Sequence, residues 1–238
     1  SAVVLSHNHG DHTVGWLPLR NAMKTVNANA LSLTHVGKGL FDTRIATNGE
    51  ENNSRRNDSL LYIETDGQIK VHDTFTEIHP GIFLTGPVPR KYPEKNYTLG
   101  GNLVRKKNAS GKVVEDIVPE DMSLVIRTEK GLVLVSGCGH SGVINTITHV
   151  QNNLQKQPLL AAIGGFHLLE NPDEQIKWTA AQLKESGIRY FMGAHCTGIE
   201  PVYQIREWVG LKRGECIVGS VGSVFDLDRG FVAGTLTK

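Results

Sequence analysis

Residues 2–12, "AVVLSHNHGDH", decide the reading of this chain. A small-to-apolar run, Ala2-Val3-Val4-Leu5, leads directly into Ser6-His7-Asn8-His9-Gly10-Asp11-His12. The run has the character of a buried strand, and His7 and His9, two apart at its end, project to the same side. Asp11 and His12 follow in the turn before a helix expected over 13–24. Clustered imidazoles beside a carboxylate have little purely structural use. Together they are the donor set of zinc, with manganese or iron also compatible.

The same local grammar recurs further along the chain. His140 in "SGCGHSG", His167 in "IGGFHLL" and His195 in "MGAHCTG" each follow an apolar strand and small residues and precede a helix. Ligands of α/β sheets bind outside the carboxyl ends of strands, so these positions are expected to converge there. The glycines let backbone approach a crowded centre. His35, His72, His79 and His149 lack this context and are expected to be solvated or structural.

Around these motifs, strands are expected at 2–6, 60–64, 69–73, 81–85, 159–163 and 188–192, with a hairpin over 123–128 and 132–137. Helices are expected near 142–155, 173–186 and 200–209, with a polar loop at 42–59 and an irregular, proline-punctuated stretch at 86–121. Strands followed by helices indicate α/β architecture. The 238 residues carry 25 Lys and Arg against 24 Asp and Glu, and no block of like charge. That balance argues against a nucleic-acid-tracking surface or an anionic-membrane face. No apolar stretch approaches the roughly 20 residues of a membrane span. The three cysteines, Cys138, Cys196 and Cys216, are too few and too dispersed for a disulfide framework. The expectation is a cytoplasmic globular protein that is one domain over 1–238.

The stretch "LSHNHGDHTVGW" (5–16) resembles the H-x-H-x-D-H signature of the metallo-β-lactamase superfamily. The later motifs "TGPVPR" (85–90), "GCGHSG" (137–142), "GGFHL" (164–168) and "GAHCTG" (193–198) resemble the subfamily named after 7,8-dihydropterin-6-methyl-4-(β-ribofuranosyl)-aminobenzene-5′-phosphate synthase. The resemblance implies a four-layer αβ/βα sandwich with a long loop insertion at about 86–121. It also implies further N-terminal strands that this sequence lacks, so that a missing segment or a second chain would complete the sandwich and cover its sheet edge. The implied metal ligands are His7, His9, Asp11, His12, His140 and His195, holding one or two zinc ions, with manganese or iron as alternatives. Many two-metal relatives place an aspartate where this chain has Cys138. Two readings of Cys138 stay open: a thiolate ligand, or a small buried side chain that packs well. Cys196 is expected beside the ligands rather than among them.

The resemblance also implies a chemistry. A bound cation lowers the pKa of water from 15.7 toward about 7, supplying metal-bound hydroxide at neutral pH. Asp11 would ligate and orient that nucleophile, and His167 would contact substrate and donate a proton to the leaving group. Arg90 and Thr197 would contact the substrate, and the helix opening at "GCGHSG" would receive a phosphate. The expected function is a metal-dependent hydrolase, or a related transferase, acting on a small anionic substrate of phosphorylated or pterin type. The cations Arg90, Lys91 and Arg105-Lys106-Lys107 of the long loop favour that charge. A lactone, thioester or β-lactam hydrolase on the same site is the alternative, and a metal-retaining binding module the third reading.

Overall fold

A computed structural model describes residues 1–96, 105–108, 110–155 and 157–232. The first half contains β1 (Ala2–Leu5), α1 (Gly10–Thr13), α2 (Trp16–Lys24), β2 (Leu33–Gly37), β3 (Arg44–Ile45), β4 (Glu51–Asn52) and α3 (Ser54–Glu64). Then come β5 (Gln68–His72), β6 (Thr76–His79), β7 (Ile82–Leu84), β8 (Arg105–Lys107) and β9 (Val113–Glu115). The second half runs β10 (Leu124–Thr128), β11 (Gly131–Ser136), α4 (Val143–Asn153), β12 (Leu159–Gly164), α5 (Asp173–Glu185) and β13 (Tyr190–Gly193). It closes with α6 (Ile199–Val209), β14 (Cys216–Val218), β15 (Val224–Asp226) and β16 (Gly230–Val232).

The opening apolar run pairs in parallel with β2, and β2 with β5, giving a three-stranded sheet in the order β1-β2-β5. Its cover comes from α2 and α3: Trp16 and Tyr62 are buried with Leu5, Val36 and Leu40. Their rings lie 4.3 Å apart. Each also places its polar tip, Trp16 Nε1–H donating to Thr34 Oγ1 at 2.9 Å and the Tyr62 hydroxyl to the Leu31 carbonyl at 2.7 Å, as buried Trp and Tyr require.

The larger sheet has the order β14-β13-β12-β11-β10-β7-β6. Strands β11 to β14 are parallel neighbours, whereas β11-β10, β10-β7 and β7-β6 are antiparallel. The sequences "GLVLVS" and "LLAAIG" are nearly continuous apolar runs because these strands are covered on both faces. On one face α4, α5 and α6 bury stripes against Leu134, Leu159 and Phe191; in α5 the stripe is Ile176, Ala180 and Leu183, the i, i+4, i+7 spacing of one helix face. On the other, Val133, Leu160 and Ala161 meet Tyr190 and Phe225, the latter from the β15–β16 hairpin.

Three stretches fold otherwise than the sequence predicts. Residues 60–64, expected as a strand, end helix α3. A short apolar run has no period of its own; here Ser59 and Tyr62 face the core while Leu60, Leu61 and Ile63 are exposed. The expected loop at 42–59 contains β3, β4 and the start of α3, with the Asn52 side chain accepting from the Ser54 backbone N–H at 3.0 Å. Within 86–121, β8 and β9 join β3 and β4 in an antiparallel sheet of order β4-β3-β8-β9. Residues 97–104 and 109 of that stretch lie outside the described residues. The run Arg105-Lys106-Lys107 is β8 itself, and its lysines meet acids of the same subdomain: Lys106 Nζ lies 2.6 Å from Asp42 Oδ2, and Lys107 pairs with Glu51. These two cations are therefore already matched by neighbouring carboxylates. Among the described residues no helix is long and apolar enough to cross a membrane.

Candidate metal centre

Strand β1 delivers Ser6 and His7 at its carboxyl end, and the one-turn helix α1 turns Asp11 and His12 back toward them. The parallel strands β11, β12 and β13 end just before His140, His167 and His195. The two sheets meet here: the Met122 backbone N–H donates to the Ser6 carbonyl at 3.0 Å. Gly137 is required at this seam, since a Cβ on it would sit 2.2 Å from Ser6 Oγ. The convergence expected from strand-end positions is thus a consequence of two sheets joined end to end.

Two groups of donors result. The rings of His7, His9 and His140 form a triangle with every centroid separation 4.6 Å. Beside it, Asp11 Oδ2 lies 2.9 Å from His195 Nε2 and 3.3 Å from His12 Nε2, and the two Nε2 atoms are 3.2 Å apart. His7 links the groups, its ring 4.3 Å from that of His12. Cys138 Sγ lies 3.1 Å from His12 Nε2. The His167 ring lies beyond that of His140, tilted against it at 4.6 Å between centroids. His167 and His195 both adopt positive φ, +47° and +51°, a region uncommon for residues other than glycine and concentrated at functional sites.

The protonation states suit metal binding. Burial lowers the pKa of His7, His9, His12, His140 and His167 below the ordinary histidine range, and for His7 and His140 repulsion from neighbouring imidazoles adds to it. Neutral imidazole is the ligating form. His140 Nδ1 lies 2.7 Å from the Asn96 carbonyl, which can only accept, so the proton sits on Nδ1 and Nε2 keeps its lone pair. His7 Nδ1 is matched by Ser6 Oγ at 3.0 Å. The Nε2 atoms of His7 and His140 are then fully buried and have no hydrogen-bond partner among the described residues. Buried polar atoms are almost always satisfied. Two orphaned imidazole nitrogens aimed into one cluster fit a metal ion, and the residues present suit that group.

The remaining expected site residues fall differently. Thr197, expected at the substrate, is completely buried; its hydroxyl donates to the Ala194 carbonyl at 2.8 Å and accepts from the Phe166 N–H at 3.1 Å, tying the His167 and His195 turns together. Arg90, expected to clamp an anion, is half-buried and donates to the carbonyls of His140, at 2.7 Å, and Ile117. The α4 N-terminus, expected to receive a phosphate, holds the chain's own Glu94, whose oxygens accept from the N–H groups of Ile144 and Asn145 at 3.1 and 2.8 Å. The neighbouring Ser141 N–H donates to Asp121 at 2.8 Å. Burial pushes Glu94 up to about 7 and Asp121 up to about 6. Their roles rest on contacts across 50 or 51 residues for Glu94 and 20 for Asp121, for which the sequence holds no local signal. His35 and His72 bond one another at 2.8 Å between β2 and β5, the structural role expected of them.

A buried ion cluster supports the loop that carries His7 and His9. Arg44 Nε lies 2.7 Å from Asp116 Oδ2 and its Nη2 2.7 Å from Glu120 Oε1, and that same oxygen accepts the Asn8 backbone N–H at 3.1 Å. Sequence reasoning missed all three charged residues, since none stands in a motif. Beyond them a polar cavity of about 230 Å³, bordered by His9, Asn8, Asn52, Arg55 and Asp116, opens beside the three-histidine group. An apolar cleft of about 300 Å³ lies against Asp11 and His12, walled by Val4, Trp16 and Leu19.

No family model matches the chain. A solved structure described as a metal-dependent hydrolase of the β-lactamase superfamily matches with a TM-score of 0.65 and 24% identity, covering 87% of this chain and 72% of that one. The chain therefore has the metallo-β-lactamase fold, with the H-x-H-x-D-H cluster at its sheet ends. In sequence, the chain is similar to 7,8-dihydropterin-6-methyl-4-(β-D-ribofuranosyl)-aminobenzene-5′-phosphate synthase of Methanocaldococcus jannaschii, 32% identical over 204 residues. That match takes in 83% of this chain and 66% of the relative, so the chain spans a little under two thirds of it. An uncharacterized protein of the same organism is 27% identical over 225 residues, 94% of this chain and 78% of the relative.

Proposed function

We propose that the protein is a metal-dependent hydrolase, or a catalyst of a related displacement, acting on a small anionic substrate of phosphorylated or pterin type. The observation that carries metal dependence is the pair of buried, unpartnered Nε2 atoms on His7 and His140. His7, His9 and His140 would hold one ion, and Asp11, His12 and His195 a second; zinc is the ion that suits these donors best, with manganese or iron compatible. Such an ion, when bound, activates water and polarises the oxygen under attack.

The chain's own residues supply the rest. Asp11, its side chain half-exposed at the mouth of the site, is placed to orient the attacking water and accept its proton. His167, kept neutral by burial, offers a hydrogen bond to the substrate or leaving group. Arg90 holds the His140 backbone in place, and Thr197 fixes the turns that carry His167 and His195. The polar cavity beside His9 gives the substrate a surface of amide and guanidinium groups. The anionic substrate class is supported by the name of the Methanocaldococcus jannaschii relative, a dihydropterin aminobenzene phosphate synthase. The apolar cleft against Asp11 and His12 favours a second reading, a lactone, thioester or β-lactam hydrolase.

The test is a screen of zinc- and manganese-loaded protein against phosphoesters, lactones, thioesters and β-lactams. The proposal expects chelator-sensitive turnover with phosphoesters preferred. A neutral lactone turned over faster than every phosphorylated compound would transfer the assignment to the second reading. Full metal loading with no turnover of any class would leave a binding module.

A further inference from the structure

We propose that the consecutive buried acids Glu120 and Asp121 are positioning residues that grip the peptide units following His7 and His140 and so preform the arrangement of those two imidazoles. The inference rests on the metal-dependent reading above and adds to it two residues outside the donor groups.

Both acids stand in one short strap between β9 and β10, yet they reach turns that belong to different sheets. Glu120 Oε1 accepts the N–H of Asn8, the residue after His7, at 3.1 Å. Asp121 Oδ2 accepts the N–H of Ser141, the residue after His140, at 2.8 Å. The next residue of the strap, Met122, donates its own N–H to the Ser6 carbonyl at 3.0 Å. His7 is therefore held on both sides, at the Ser6 carbonyl and the Asn8 N–H. For His140 the two grips fall on a single peptide unit: its carbonyl accepts from Arg90 at 2.7 Å while the Ser141 N–H of the same unit donates to Asp121. A peptide unit is planar, so fixing both its ends sets the direction in which the adjacent Cα presents its side chain. His7 and His140 are also the imidazoles whose buried Nε2 atoms have no partner among the described residues. Because both acids are buried, no water stands ready to replace either carboxylate at these N–H groups.

The strap is bent into this position against its own preference. Val118, buried and β-branched, sits at φ +51°, whereas the branching and the following Pro119 both favour extended backbone. Three contacts hold it there. Asp116 Oδ1 accepts the Val118 N–H at 3.0 Å, and Arg90 donates to the Ile117 carbonyl. The Asp121 N–H closes a turn on the Val118 carbonyl at 3.2 Å, with Pro119 at the second position that suits it. Gly37 leaves the room required, since a Cβ on it would lie 2.1 Å from the Glu120 carbonyl oxygen. Strain of this kind persists where the surroundings over-determine it, and it gathers at functional sites.

Two measurements test the role: cobalt(II) titration followed by visible d–d absorption, and amide hydrogen exchange. Asp121→Ala should bind cobalt about 10–100-fold more weakly than wild type, the usual cost of losing a group that orients a ligand. Asp121→Asn, which keeps an oxygen for the Ser141 N–H, should recover most of that affinity. A merely structural residue would lower the unfolding temperature and leave the affinity of the folded protein unchanged. In metal-free wild-type protein the Asn8 and Ser141 amides should exchange as slowly as those of β11, because the clamp forms without an ion; this arm decides if Asp121→Ala does not fold. Cobalt affinity within a few-fold of wild type in folded Asp121→Ala, or free exchange of both amides in the metal-free wild type, would overturn the proposal and leave metal binding standing. Slow exchange of both amides in a wild type that binds no cobalt would overturn the metal-dependent reading and this inference with it.

Discussion

Asp11→Asn is expected to lower turnover by about a hundredfold or more, the lower range of what a positioned general base contributes. The substitution conserves size and hydrogen-bonding reach but removes the charge and the basic oxygen. Asp11 Oδ2 is 2.9 Å from His195 Nε2 and 3.3 Å from His12 Nε2, so it belongs to the outer of the two donor groups. The three-histidine group contains none of its atoms, and metal there should persist in the variant. The loss should fall on kcat rather than KM, because the interaction removed is made with the attacking water and not with the bound substrate. Elemental analysis and steady-state kinetics on the same preparation check it. Turnover within a few-fold of wild type at unchanged metal content would take the orienting role away from Asp11.

The second large effect is on stability. Arg44→Met should destabilise the fold by about 3–5 kcal/mol, since removing one partner of a buried ion cluster leaves uncompensated charge behind. Asp116 and Glu120 have side-chain exposures of 4% and 0%, so water cannot take the place of the guanidinium. Burial already pushes the Glu120 carboxyl up, and loss of Arg44 removes the charge that opposes this. Because Glu120 also accepts the Asn8 N–H, the loop carrying His7 and His9 should loosen with it. Urea unfolding at neutral pH measures the first effect. Adding Asp116→Asn and Glu120→Gln to the variant should recover part of the loss. A single-variant cost below about 1 kcal/mol would mean that the cluster is solvated in the working protein.

How much of this was legible in the sequence follows from the range of the interactions. The convergence of these side chains was, because His7, His9, Asp11 and His12 stand in one local motif and His140, His167 and His195 each sit where a parallel strand ends. The hairpin of β10 and β11 and the helices α4, α5 and α6 were legible from period and turn chemistry. Residues 60–64 were not, since an apolar run of that length suits a strand as well as the end of a helix, and only the packing of Tyr62 on Trp16 decides. The phosphate role expected of the α4 N-terminus did not survive because Glu94, fifty residues upstream of Ile144, fills it. Lys106 and Lys107 read as free cations until β8 is paired with β3, next to Asp42 and Glu51. The polar surprises are side chains matched by partners distant in sequence, which composition and spacing do not encode.

The claim beneath all of these is that the clustered histidines exist to hold metal, and metal content of the purified protein tests it most directly. The account predicts about one to two transition-metal ions per chain, the occupancy of one or both donor groups. Because burial lowers the pKa of His7, His9, His12 and His140, that content should hold through the ordinary histidine range and fall only at more acidic pH, where protons compete for the ligating imidazoles, and His7→Ala and His140→Ala should each reduce it. A content below about 0.3 per chain, unrestored by added zinc or manganese in folded protein at neutral pH, would contradict it, because neutral converging ligands bind such ions without further preparation.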